Sequence, residues 1–283
     1  MRLSRLCSFV IVLVSSVLLP LGSACAKGDE ILFGSVAMDI PAVMHKRLQP
    51  LVRYLSETLH RPVRLQLSPD MKTAIRAAVD GTVDLAYLTP VAYIKARESG
   101  DVQLVAKTVT SGRGYFKLMI VVKDTSPVQK VEQLKGKRFA FGDSSALLQR
   151  AVVEGAGLSV SDFEDVRYLG HYDNIVRAVI NQDFDAGILK DTMAYKWQGK
   201  GIRIVYASPE LPPYNIVACG QMPPELLASI RQAFLQLNSE NPAYYNIIKS
   251  LDRNYDGFMI ANDREYDLVR KMIAPYTQDR MKD

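Results

Sequence analysis

The side chains best able to bind or react fall into four short stretches. Tyr87 and Tyr93 flank Thr89-Pro90, Ser144 and Ser145 follow Phe141-Gly142-Asp143, His171, Tyr172 and Asp173 follow Gly170, and Tyr214 closes a proline-rich run at 209–213. A tyrosine offers a flat apolar face and a hydroxyl, so it can both wall a small ligand and hydrogen-bond it. Ser144 and Ser145 add hydroxyls at a helix start, where unpaired amides favour an anion. Ser144, His171 and Asp173 compose a hydrolytic triad on paper. No Gly-x-Ser-x-Gly turn carries the serine, however, and an acid two residues from the histidine is poorly placed to orient it. Three histidines and widely separated cysteines give no metal-ligand spacing. The chemistry expected is recognition rather than turnover, with no catalytic residue, metal or cofactor.

These stretches sit where β-rich runs meet segments of helical period. Strands are read at 31–36, 63–68, 84–88, 102–109 and 116–123, with helices at 42–59, 71–80 and 90–98 between them. A second set follows: a short helix at 131–134, strands at 138–141, 166–169, 186–189 and 202–207, and helices at 147–155, 174–181 and 192–198. A strand at 216–219 and helices near 224–238, 243–251 and 264–274 end the chain. The alternation is that of an α/β protein with largely parallel sheets, whose ligands collect at the carboxyl ends of strands. Each candidate keeps a plain alternative. Tyr87 and Tyr93 can pack a core, Ser144 and Ser145 can cap a helix, and Asp173 fits the cap of a helix carrying Ile175, Val176, Val179 and Ile180. Met38, Asp39 and Tyr115 occupy further positions that a cleft would use.

Two stretches have linker chemistry, 123–127 and 208–213. Taken as crossovers, they divide the chain into a first lobe of residues 28–122 plus 215–283 and a second of residues 123–214. Two crossings make a hinge, with a ligand cleft between the lobes. No tandem repeat stands out.

The amino terminus reads as a secretory signal over residues 1–26. Arg2 and Arg5 precede an apolar run at 6–19, and small residues follow Pro20. Two processing routes are open: Ala24-Cys25-Ala26 is an A-x-A site cut before Lys27, and 21–25 is a degraded lipobox that would lipidate Cys25. No later segment approaches the ~20 apolar residues of a membrane helix. Cys7 leaves with the signal and Cys25 is removed or lipidated, so Cys219 is expected to stand alone without a disulfide. Loss of Arg2 and Arg5 lowers the formal charge of +5 to +3, and no basic run remains. That argues against nucleic acid as a partner.

Several segments, in this order, resemble the periplasmic binding proteins of phosphonate, phosphite and phosphate ABC transporters. The resemblance is carried by Gly81-Thr82-Val83-Asp84-Leu85-Ala86-Tyr87-Leu88-Thr89-Pro90-Val91-Ala92-Tyr93, by 134–143, by Gly170-His171-Tyr172-Asp173 and by Asp185-Ala186-Gly187. It implies a two-lobed type II binding protein, monomeric and periplasmic, that closes on a small anion and delivers it to a permease. The same closure could instead signal to a membrane kinase or chemoreceptor. Three departures bear on the ligand. Asp143-Ser144-Ser145-Ala146 is shorter than the family's Ser-Thr-Ser-Gly turn and lacks its glycine. Tyr172 stands where the family's Gly-Ser-His-Asp has histidine, with His171 one place earlier. Pro213-Tyr214-Asn215 replaces the Gly-Asp-Pro that receives an aminoalkyl ammonium, which removes that ligand class.

Overall fold

A computed structural model describes residues 28–36, 41–142 and 147–278. In its first part, β1 (Ile31–Val36) leads through α1 (Pro41–Leu59) to β2 (Val63–Ser68), α2 (Met71–Val79), β3 (Leu85–Leu88), α3 (Pro90–Ser99) and β4 (Val102–Thr110). After β5 (Leu118–Lys123) and a 3-10 turn at Val131–Leu134, the same order recurs. The second series is β6 (Arg138–Phe141), α4 (Leu147–Gly155), β7 (Asp165–Tyr168), α5 (Tyr172–Ile180), β8 (Ala186–Lys190), α6 (Asp191–Trp197) and β9 (Ile202–Ala207). The chain returns as β10 (Asn215–Cys219) and closes with α7 (Pro224–Gln236), α8 (Pro242–Leu251), β11 (Tyr255–Met259) and α9 (Asp267–Gln278).

One sheet runs β11-β4-β10-β3-β1-β2 and the other β7-β6-β8-β5-β9. Each has a parallel trio, with β1 flanked by β2 and β3, and β6 by β7 and β8. Each trio is followed by one antiparallel strand, β10 between β3 and β4 or β5 between β8 and β9. The largely parallel sheets expected from the alternation are therefore mixed, because the strand entering from the opposite lobe arrives in the reverse direction. The repeated plan, invisible as sequence similarity, is plain in this order.

One crossover and one strand differ from the sequence reading. β5 belongs to the second sheet, so the chain changes lobes between Thr110 and Leu118 rather than at 123–127. Asp124 instead ties off the end of β5: its amide donates to the Gly201 carbonyl at 3.1 Å and its carboxylate accepts from the Gly201 amide at 2.7 Å. β11 had no counterpart in the sequence reading. Its run Tyr255-Asp256-Gly257 has turn composition, and the register shifts there beside a glycine at φ 155°.

Apolar residues alternate along each central strand and so feed both faces. Leu118, Ile120 and Val122 of β5 enter one cluster, while Met119 and Val121 enter another with Ile175, Val179 and Leu189. On the first lobe, α1, α7 and α8 cover one face through Leu48, Leu51, Phe234 and Ile248. The other face, under α2 and α3, continues into the second lobe, because α9 packs on both α3 and α4. Val269 and Ile273 of α9 share a cluster with Ala92 and Ile94 of α3 and with Val152 of α4. Cys219, expected to be a lone thiol, is disulfide-bonded. The other two cysteines, Cys7 and Cys25, lie outside the described residues.

Candidate functional site

Both sheets direct the carboxyl end of a central parallel strand, β3 or β8, into one cleft, and the two strands are anchored alike. Asp84, just before β3, accepts from the Leu32 amide of β1 at 2.7 Å. Asp185, just before β8, accepts from the Arg138 amide of β6 at 2.9 Å and pairs with the Arg138 guanidinium at 3.0 Å. That partner holds the Asp185 carboxyl below its usual range. A Cβ on Gly187 would come within 2.4 Å of Ile175, so glycine is what lets α5 lie close on β8. The Asp-x-Ala and Asp-Ala-Gly motifs thus do structural work at the base of each strand.

Five residues past each aspartate the next helix begins, at Thr89 in one lobe and Lys190 in the other. The Thr89 hydroxyl caps α3 by accepting from the Ala92 amide at 3.1 Å, and Pro90 fills the first turn. Lys190 holds the same place before α6 and makes no side-chain cap bond. Strand pairing then sets an aromatic ring beside each. Leu118 pairs with Lys190, which brings Phe116 alongside the ammonium, and Asn215 pairs with Leu88, which brings Tyr214 against Tyr87.

Between the lobes lies a cavity of about 1190 Å³. Tyr87, Thr89, Tyr214, Asp252 and Tyr255 line it from one side, and Gln149, Gly170, Tyr172 and Lys190 from the other. Lys190 is the cation set among aromatic rings, while Arg47, Asp70, Lys72, Lys95 and Glu98 add further charges to the lining. Its ammonium lies 5.5 Å from the Phe116 ring centre and 5.8 Å from that of Tyr255, within cation–π range. Loss of water pulls its pKa below the ordinary lysine value, which Asp252 and Asp191 oppose from longer range. Among the described residues neither carboxylate forms an ion pair with it; Asp191 lies instead 3.9 Å from Arg113.

The tyrosines stay protonated and can donate. Burial pushes Tyr172 and Tyr255 up to about 12 and raises Tyr87 and Tyr214 as well. The Tyr87 and Tyr255 hydroxyls bond each other at 2.8 Å. Gln149 is 6% exposed; its carbonyl accepts from the Gly142 amide at 2.8 Å and its amide reaches the Tyr172 hydroxyl at 3.5 Å. Tyr172 and the first residues of α3 also line the cavity, at the positive ends of α5 and α3. A desolvated cation, hydroxyl donors and helix starts around one space suit an anion.

Of the residues singled out from sequence, Tyr87, Thr89, Tyr172 and Tyr214 meet at this cavity. Tyr93 does not line it. One turn into α3 its ring packs 4.5 Å from Tyr266 and its hydroxyl donates to Asp263 at 2.5 Å, which makes it a core residue of the first lobe. His171 is exposed and does not line the cavity either. It, not Asp173, holds the N-cap position of α5; Asp173 lies in the first turn, where its charge favours the helix dipole. The Arg113 guanidinium covers the Tyr115 ring. Ser144, Ser145, Met38 and Asp39 lie outside the described residues.

Sequence reading missed Lys190, Gln149, Tyr255 and Asp252. A signal for the first exists, since Lys190 stands as far from Asp185 as Thr89 does from Asp84, although the apolar pattern ends at Leu189. Among the described residues no cluster of His, Cys, Asp and Glu could hold a metal ion. No described helix is long and apolar enough to cross a membrane.

A family profile described as "ABC transporter, phosphonate, periplasmic substrate-binding protein" matches residues 33–266, a span that includes both sheets and the cleft. The chain belongs to this family. Within the family's wider relations, it is 22% identical to the phosphate-import protein PhnD of Mycolicibacterium smegmatis, across 93% of this chain and 94% of that one. Its fold matches PhnD1 of Prochlorococcus marinus in complex with methylphosphonate, with TM-score 0.71 and 18% identity over 88% of this chain and 98% of the other. XAC2383 of Xanthomonas citri bound to ATP is similar too, with TM-score 0.73 and 18% identity over 89% and 98% of the two chains. These likenesses establish a two-lobed type II architecture for the family member described here. Members of this family are substrate-binding proteins of transporters, and phosphonate-binding ABC proteins are periplasmic or exported.

Proposed function

We propose that this protein is exported and closes its two lobes around a small phosphorus oxyanion of the phosphate, phosphite or phosphonate class, which it hands to an ABC permease without chemical change. The observation that carries the reading is Lys190, a desolvated ammonium with no ion-pair partner among the described residues, aimed at a cavity between two lobes. A buried cation is costly until an anion joins it. Tyr172 and Tyr214 donate from opposite sides, so a bound oxyanion links the lobes. Because such a ligand has more contacts in the closed form, it draws the population there. Phosphate and methylphosphonate are the substances named for the two PhnD relatives, and they are the first candidates here.

Residues 1–26 act in this reading as the export signal, and the protein works as a monomer in the periplasm, free or held by a lipid on Cys25. Intact-mass measurement of the exported protein separates the routes. Cleavage before Lys27 gives an unmodified chain that starts at Lys27, whereas lipid attachment gives a chain that starts at Cys25 and carries a diacylglyceryl thioether; in both, Cys219 is left without a cysteine partner.

The function itself is tested by thermal shift of the exported protein against phosphate, phosphite, methylphosphonate, sulfate, carboxylates and neutral solutes. A ligand that binds only the native state raises the melting temperature. Stabilisation by phosphorus oxyanions is expected; stabilisation by uncharged or cationic compounds alone overturns the proposal.

A further inference from the structure

The cavity is far larger than the anion that Lys190 calls for. A tetrahedral oxyanion displaces about two or three waters, roughly 60–90 Å³, whereas the cleft, open to solvent before closure, holds about 1190 Å³; the case for a larger ligand rests on what lines it. What surrounds the cation is also unlike a cage of donors. Phe116 and Tyr255 present rings to it, and Tyr87 and Tyr214 stack beside them with centroids 5.2 Å apart and planes tilted by 31°. The Tyr87 and Tyr255 hydroxyls are engaged with each other, so both residues offer the cavity ring surface more than hydrogen bonds. Tyr172 supplies a further ring from the second lobe, and the lining also includes apolar Met71 and Ile75, interleaved with the charged Asp70, Lys72, Lys95 and Glu98.

We infer that the ligand is an organophosphorus anion carrying an aromatic group, its phosphoryl end on Lys190 and its ring among Tyr87, Tyr172 and Tyr214. The inference rests on reading the cleft as an oxyanion site and adds the organic half. Aromatic side chains grip a ring by offset or edge contacts that an aliphatic group of similar size reproduces less well. A bare oxyanion leaves these walls facing water.

Calorimetric titration of the exported protein with phosphate, methylphosphonate, cyclohexylphosphonate and phenylphosphonate tests this directly. Phenylphosphonate is expected to bind roughly tenfold or more tightly than methylphosphonate, and more tightly than the cyclohexyl compound. Tyr214→Leu should lower phenylphosphonate affinity more than methylphosphonate affinity, so the ratio between them falls; Tyr172→Leu, on the opposite lobe, gives the same readout if the first variant does not fold. Equal affinity for methyl- and phenylphosphonate, or for cyclohexyl- and phenylphosphonate, overturns the inference and leaves the oxyanion function standing. Failure of all four anions to bind overturns both.

Discussion

Thr89 and Lys190 occupy one slot in two copies of the same frame, five residues beyond an aspartate that anchors its strand and immediately before a helix. In the first lobe the slot holds a hydroxyl already engaged in capping α3. In the second it holds a cation that caps nothing and faces rings from the first lobe and the crossing. The backbone plan therefore fixes where the lobes can touch a ligand, and a single side-chain choice fixes what they touch it with. The cation set among rings comes from one lobe, and most of those rings from the other and from the crossing.

The sharpest way to break this comparison is Lys190→Met. Removing one partner of a desolvated charge pair costs about 2–5 kcal/mol, so anion affinity should fall by roughly 30-fold or more in calorimetry. The unliganded fold should be no less stable by thermal melting, since a costly charge has been removed. A variant that still binds phosphorus oxyanions at full strength would remove Lys190 from the site. Acid–base behaviour gives a second view. With the Lys190 pKa lowered, anion affinity should decline as pH rises through that lowered value, starting below the usual ~10.4. Between the lowered value and the ordinary one, the unfolded chain holds more protons than the folded one, so stability of the unliganded protein should rise with pH in that window.

The anchoring aspartates should differ in degree. Asp84→Asn removes a charge and turns one acceptor oxygen into a donor at a site only 6% exposed, and is expected to cost about 2 kcal/mol in urea unfolding. Asp185→Asn, at a site with 31% side-chain exposure, should cost about 1 kcal/mol. The Asp185 contribution is present at neutral pH and is lost as pH falls from its unfolded value near ~3.9 towards the lower folded one, so the deficit of the variant should shrink in acid. Equal costs would mean that the two anchors are interchangeable. The smallest effect belongs to Thr89→Val, where loss of the cap should destabilise by about 1 kcal/mol and change ligand affinity only a few-fold.

Elements governed by local chemistry were legible in the sequence. Pro90 and Thr89 announced α3 within a residue, and the apolar run before Lys190 announced β8. What escaped depended on partners far along the chain. β5 reads the same whichever sheet it joins, and only its pairing with β8 and β9 moves the first crossing ahead of it. Tyr93 and Tyr87 look alike beside the same turn. The strand holds Tyr87 at the cleft, whereas the helix carries Tyr93 round to Asp263, which is 170 residues away. Lys190 is inconspicuous in the sequence because a lysine after a buried strand is ordinarily a solvated end. Its significance comes from Phe116 and Tyr255, brought to it by a crossing and by a strand that sequence period did not reveal.

The placement of β10 between β3 and β4 has a consequence for how the molecule is made. The second sheet is complete within the continuous stretch 118–207, so it can assemble as soon as that stretch is free. The first has a vacancy at its centre until residues 215–219 emerge, roughly a hundred residues after β4. Contacts so distant in sequence form late. In refolding, amides of β6 and β8 should gain protection from hydrogen exchange before those of β3 and β4, with the cationic half of the clamp built while the aromatic half is still open.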